Sequence, residues 1–198
     1  MNKKYDDLTF QHVRNNAEKN QYKEKKKTIS KTKAMVMGTL YALPLVLLFG
    51  FIYRFLLIDR AHLIETSGFS FYILFLVIII TSVIIHECLH GLGWLLFGRN
   101  GWNSIRFNIH AMMPSCACNM PLSREKYLFG VLLPFVVLGC CSVVFMFVYP
   151  GTVSVLAMIV NIIISGADIM IAVNVAKEKN ALIIDHPTEA GYIALTKR

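Results

Sequence analysis

The chain has 198 residues, of which 56% are hydrophobic and only 16% charged, and its net charge is +8. A chain this apolar is not an ordinary soluble domain, and runs of about 20 uncharged residues point to membrane helices. The length holds about four spans in one domain, which leaves no room for a separate soluble catalytic module.

Residues 1–33 carry ten Lys/Arg against four acids (Asp6, Asp7, Glu18 and Glu24). This segment reads as a solvated basic cytoplasmic arm, too long and too rich in acids for the leading region of a signal peptide. No aromatic-interleaved binding module accompanies the charge, so no nucleic-acid partner is expected. Anionic lipid is the candidate contact for the arm.

The first span is expected over 34–58, with Pro44 as a kink and Arg54 snorkelling from its end. A short polar link leads to the second span, 69–97, where Gly91 and Gly93 permit close approach of another helix. Residues 99–126 are not a span. The run from Ile105 to His110 alternates apolar and polar, the period of a strand, and Pro114 and Pro121 bracket a second extended piece. A surface hairpin or loop is expected there. Its open edge could pair with an extended peptide, and a plain connector is the alternative.

The third span is 127–149, with Pro134 inside it, and the fourth is 153–176, interrupted by Asn161, Ser165 and Asp168. Residues 177–198 form a charged tail in which 181–184 could make a short strand. The fold class read from this pattern is an all-α membrane protein, with four transmembrane helices and a short strand or loop element between the second and third. Its domain is 34–176. Five cysteines (Cys88, Cys116, Cys118, Cys140 and Cys141) give no disulfide framework, in keeping with a reducing compartment.

With both termini inside, the arm, the 99–126 segment and the tail hold eighteen of the twenty Lys/Arg. The positive-inside rule therefore predicts a multi-pass protein of the cell membrane with cytoplasmic N- and C-termini. The chemistry is concentrated in His86-Glu87-Cys88-Leu89-His90. Histidines four apart on a helix stack on one face and can share one Zn²⁺, while Glu87, rotated off that face, can take a proton from a water on the metal. Ionisable groups inside an apolar span must face a bundle interior or a water pocket.

A third ligand is needed, and the candidates are Asp168, His110, Glu125, Cys116 or Cys118, and the pair Asp185/His186. Asp168 is the only acid in the fourth span and lies at the depth of the histidines. Asn161 and Ser165 share its helical face, and Asn161 could bind substrate backbone or a developing oxyanion. Cys116 and Cys118 would share one face of a strand, a weak soft-metal signal.

The motif His86-Glu87-x-x-His90, with Asn161 and Asp168 in a later span, resembles site-2-protease-type intramembrane metalloproteases. More closely the chain resembles a small bacterial membrane family of zincin peptidases. That likeness runs over roughly 69–192 through the motif helix, the Cys116-x-Cys118 to Tyr127 stretch, Ser165-Gly166-Ala167-Asp168, and Asp185-His186-Pro187 with Gly191-Tyr192. It implies His86, His90 and Asp168 as zinc ligands and Glu87 as catalytic acid/base. The third motif departs from the better-known proteases, because Ile169 follows the aspartate and no proline separates it from Asn161.

The expected function is therefore a zinc-dependent intramembrane peptidase, acting near the cytoplasmic face on a membrane-associated protein or peptide. Two other readings stand beside it. One is a non-catalytic accessory or immunity protein that keeps the fold, which would have no need of Glu87. The other is a metal transporter, which would need a chain of ligands across the bilayer.

Overall fold

The computed structural model describes residues 11, 15–61, 68–98, 101–110, 113–186 and 189–197. His12 and His62 lie outside these residues, as does the side chain of His110. Four helices are long and apolar enough to cross a membrane: α1 (Lys31–Arg60), α2 (Phe69–Leu95), α3 (Arg124–Val148) and α4 (Thr152–Val175). Their ends differ by only a few residues from the spans expected at 34–58, 69–97, 127–149 and 153–176.

The irregularities in these helices have local causes. Ser30 caps α1, its hydroxyl accepting the Lys33 N–H. Pro134 in α3 has no N–H to give, and the helix widens to π geometry over Phe135–Gly139 directly after it. Helix α4 is broken at Ser165 and resumes at Gly166. It is the most enclosed of the four, while α1 and α2 turn Leu47, Phe51, Leu76, Ile80 and Ile84 outward as an exposed apolar surface.

The all-α expectation is corrected by six strands. Strands β2 (Ile105–His110) and β3 (Met113–Cys118) form the hairpin expected between the second and third spans, paired Ile105 to Cys118 and Phe107 to Cys116. The other four are β1 (Tyr22–Ile29), β4 (Leu122–Ser123), β5 (Ala181–Asp185) and β6 (Ala190–Lys197). They form one antiparallel sheet in the order β1-β6-β5-β4. The expected short strand at 181–184 is β5.

Within the basic segment, Tyr22–Ile29 is accordingly a paired strand. Lys25 and Lys27, two apart and so on one face of β1, place their ammonium groups 3.0 and 2.9 Å from the same oxygen of Glu178, whose side chain is only 8% exposed. Burial opposes the charge on Glu178, and these two lysines hold its carboxyl below the usual range.

This sheet gathers the segments before α1, before α3 and after α4 on one side of the bundle. One face of it carries Ala181, Ile183, Tyr192 and Ala194 into a core shared with Trp94, Tyr127, Val131, Ala172 and Val175. The sheet therefore packs directly under the ends of α2, α3 and α4. Ile184, Ile193 and Leu195 form the opposite face, against Ala17 and Tyr22.

Candidate metal centre

Helix α2 turns His86 and His90 inward, 3% and 5% exposed, and turns Ile84, Ile85 and Leu92 outward. One turn of helix brings the rings to a centroid separation of 4.7 Å, nearly perpendicular at 82°. Asp168 arrives from α4, two residues after the helix resumes at Gly166. Close packing puts it there. A Cβ on Gly166 would lie 2.1 Å from the Gly38 carbonyl oxygen, and one on Gly38 would lie 2.6 Å from the Ala167 nitrogen. Only glycines at both positions let α1 press against α4 where Asp168 emerges.

The three side chains converge. Nε2 of His86 lies 3.1 Å from Nε2 of His90 and 2.9 Å from Oδ2 of Asp168, and His90 Nε2 lies 3.5 Å from Oδ1. Metal bonds of about 2.0–2.1 Å in a tetrahedron imply donor atoms about 3.3 Å apart. The two ring nitrogens and the carboxylate are spaced on that scale, each ring nitrogen facing a different oxygen of Asp168.

Two further observations favour a cation over a purely hydrogen-bonded cluster. Asp168 Oδ2 is buried without a hydrogen bond, its 2.9 Å approach to His86 being out of alignment for one. His90 Nδ1 lies 2.9 Å from the Gly130 carbonyl oxygen. With the proton donated there, a neutral ring directs the lone pair of Nε2 toward Asp168, and a cation between them relieves that opposition. His86, His90 and Asp168 form the one group of three or more such donors among the described residues.

An aromatic stack supports His90 from below. Trp94 lies parallel to it at 5.3 Å, Tyr127 follows at 5.7 Å, and Tyr192 of the sheet lies beyond. The indole N–H of Trp94 donates to the Tyr127 carbonyl oxygen at 3.1 Å. A Cβ on Gly130 would lie 2.1 Å from Trp94 Cδ1, so that glycine makes room for the stack and also offers His90 its acceptor.

Glu87, partly buried, accepts the backbone N–H of Cys116. Two residues along β3, the Cys118 N–H donates to Asp185 Oδ2 at 2.7 Å, and the Tyr127 hydroxyl donates to Oδ1 of the same carboxylate. Both N–H groups leave β3 on the edge away from β2. Pro114, which has no N–H, falls in the same alternation and leaves no donor unmatched there. Burial pushes the Asp185 carboxyl up to about 6, against the pull of these two donors.

The other candidate ligands whose side chains are described take no part in this group. Glu125 is paired with Arg124 at the surface. His186 accepts the Glu189 N–H at Nδ1. Burial and the neighbouring Glu87 and Asp185 raise the Cys116 thiol, and burial followed by Asp185 pushes Cys118 up to about 12. Both shifts oppose formation of the thiolate in the metal-free protein. Asn161 is buried, its amide nitrogen bonded to Ala157 O of its own helix at 2.9 Å and its Oδ1 without a hydrogen-bond partner. Sequence reasoning missed Trp94, Tyr127 and Gly130. It included Asp185 only as a possible ligand, because their roles depend on contacts between elements distant in the chain.

Residues 79–183, just over half of the chain, match the model of a family described as "Putative zincin peptidase". The chain belongs to this zincin family. No curated protein and no solved structure gave a match. The family description supports metallopeptidase chemistry with zinc as the cofactor. The matched stretch of the zincin contains His86, Glu87, His90, Asn161 and Asp168, together with Trp94, Tyr127 and Gly130, and it ends two residues before Asp185.

Proposed function

We propose that the chain is a zinc-dependent peptidase of the site-2-protease type, which cleaves a membrane-associated protein or peptide within the bilayer near the cytoplasmic face. The observation that carries this reading is the meeting of His86, His90 and Asp168 from two different spans, next to a glutamate one residue along the helix. A binding-only metal site has no use for that glutamate.

His86 and His90 through Nε2, and Asp168 through its carboxylate, would hold the metal. A zinc ion there supplies Lewis-acid polarisation of a carbonyl and of water. Glu87 accepts a proton at its carboxylate from the attacking water and returns it to the leaving nitrogen. Asn161, with Oδ1 uncommitted, is suited to accept a substrate backbone N–H.

The site lies about 8–14 Å inside the sheet-side ends of α2 and α4, at 1.5 Å per residue. The weight of Lys/Arg assigns that side to the cytoplasm. A helical substrate must unwind to expose its amide there.

The test uses purified protein in detergent, loaded with zinc and mixed with peptides of membrane-protein origin, with cleavage read by mass spectrometry. Glu87→Gln keeps its zinc and loses cleavage by roughly 10²–10⁴-fold, the range for a general acid–base. Unchanged cleavage removes Glu87 from the mechanism.

A further inference from the structure

Asp185 is the acid of the tail motif that the metal triangle does not use. It stands at the C-terminal end of β5, and its two oxygens are committed to two different elements. Oδ1 receives the Tyr127 hydroxyl of α3, and Oδ2 receives the Cys118 N–H of β3. A carboxylate holding one donor from a helix and one from a strand fixes those two elements relative to each other. Charge-assisted hydrogen bonds of this kind are stronger and more directional than neutral ones.

Their placement gives this clamp its significance. On the free edge of β3 the N–H groups at Cys116 and Cys118 are successive outward donors, one pleat repeat apart (about 7 Å). Asp185 takes the second and Glu87 takes the first. Among the described residues β3 pairs with β2 alone, so along its other edge the two carboxylates do what a neighbouring strand would do. Tyr127, the other arm of the clamp, stacks on Trp94, which stacks on His90. One side chain on the sheet thus meets both the strand that holds Glu87 and the stack behind a histidine.

We propose that Asp185 is a positioning residue for Glu87, fixing β3 against α3 so that the Cys116 N–H stays aimed at the Glu87 carboxylate. This rests on the peptidase reading only for the consequence in turnover. The placement of β3 is a property of the free protein. On this account the sheet formed by the two ends of the chain is part of the catalytic apparatus.

The experiment takes the full chain in detergent micelles as wild type, Asp185→Ala, Asp185→Asn and Tyr127→Phe. Zinc content, residue-resolved amide exchange of the metal-free protein, and peptide cleavage are measured on each. The expected result for Asp185→Ala is full zinc occupancy, with exchange of both the Cys116 and Cys118 amides faster by roughly tenfold or more, since each loses a buried partner. In the cleavage assay kcat falls by roughly tenfold while KM stays within about twofold, the pattern of a group that acts only in the transition state. Tyr127→Phe gives the same pattern more weakly.

Acceleration confined to Cys118 overturns the proposal, because Asp185 would then cap one amide without placing the strand. Loss of zinc also overturns it, because Asp185 would then act on the ligands. If Asp185→Ala does not fold, Asp185→Asn decides on the same measurements, since it keeps the volume and sets an amide NH₂ against a donor. If no peptide is cleaved by any form, the peptidase reading fails, and the exchange at Cys116 still decides the role of Asp185.

Discussion

Replacing Gly130 by alanine tests the support behind the metal site with a single methyl group. The added Cβ would lie 2.1 Å from Trp94 Cδ1 and 2.2 Å from Nε1, where ordinary contact begins at 3.4 Å. The indole and α3 must therefore separate by roughly 1.3 Å, since carbon atoms do not pack closer than van der Waals contact. The indole has little freedom to yield, being stacked between His90 and Tyr127 and bonded to the Tyr127 carbonyl oxygen. The backbone shift moves the Gly130 carbonyl oxygen away from His90 Nδ1. Overpacking of this kind costs about 1–3 kcal/mol. Loss of the carbonyl that orients a ligating histidine typically costs roughly 10–100-fold in metal affinity. Zinc affinity of purified Gly130→Ala, measured by competition with a chromophoric chelator, should fall by that factor while the protein still folds. Affinity within about twofold of wild type would show that the Gly130–Trp94–His90 contacts do not set the metal site.

Three further outcomes follow from the same coordinates. His86→Ala and Asp168→Ala should each abolish stoichiometric zinc in metal analysis, since each removes one of three ligands; retention of zinc by both would refute the triangle as the binding site. Asp185 has a folded-state pKa of about 6, raised by burial above its ordinary value, with Tyr127, Cys118, His90 and Asp168 around it. Folding thus favours its protonated form, so its contribution to stability is greatest below about pH 4, declines as pH rises toward about 6 and is flat above. The melting temperature of wild type relative to Asp185→Asn should show that decline, and parallel curves would refute it. Removing Lys25 and Lys27 together leaves Glu178 with neither cation, and should cost about 1–3 kcal/mol, discounted for the exposure of Lys25. Adding Glu178→Gln should recover most of the loss in urea unfolding followed by exchange at β1, and no recovery would refute the pairing.

The spans were legible because lipid imposes a one-dimensional requirement. A crossing needs a sufficient apolar length whatever it packs against, and the four helices differ from their expected ends by only a few residues. The hairpin at β2–β3 was legible from alternation at 105–110 and from the second extended piece expected between Pro114 and Pro121, which the structure sets at Met113–Cys118. Strands β1 and β6 were not. The sequence Tyr22-Lys23-Glu24-Lys25-Lys26-Lys27 has no apolar alternation to declare a strand, and it becomes one by backbone pairing to β6 and by ion pairs to Glu178.

The pattern His86-Glu87-x-x-His90 announced the metal because ligand spacing on one helix is local geometry. The depth of Asp168 in an apolar span marked it as needing a partner, but its arrival beside the histidines depends on Gly38 meeting Gly166 and on the break at Ser165. Asp185 was visible as an acid near a histidine, and its link to β3 and Tyr127 was not, because those partners lie 67 and 58 residues away. By itself, then, the sequence determined four helices long and apolar enough to cross a membrane and a pair of histidines on one helical face, which follow from length, apolarity and helical period. Only the tertiary structure brought the Asp168 carboxylate, already singled out by its depth, to the histidine pair and the Asp185 carboxylate to β3, because both depend on close contacts between segments that are remote in the chain.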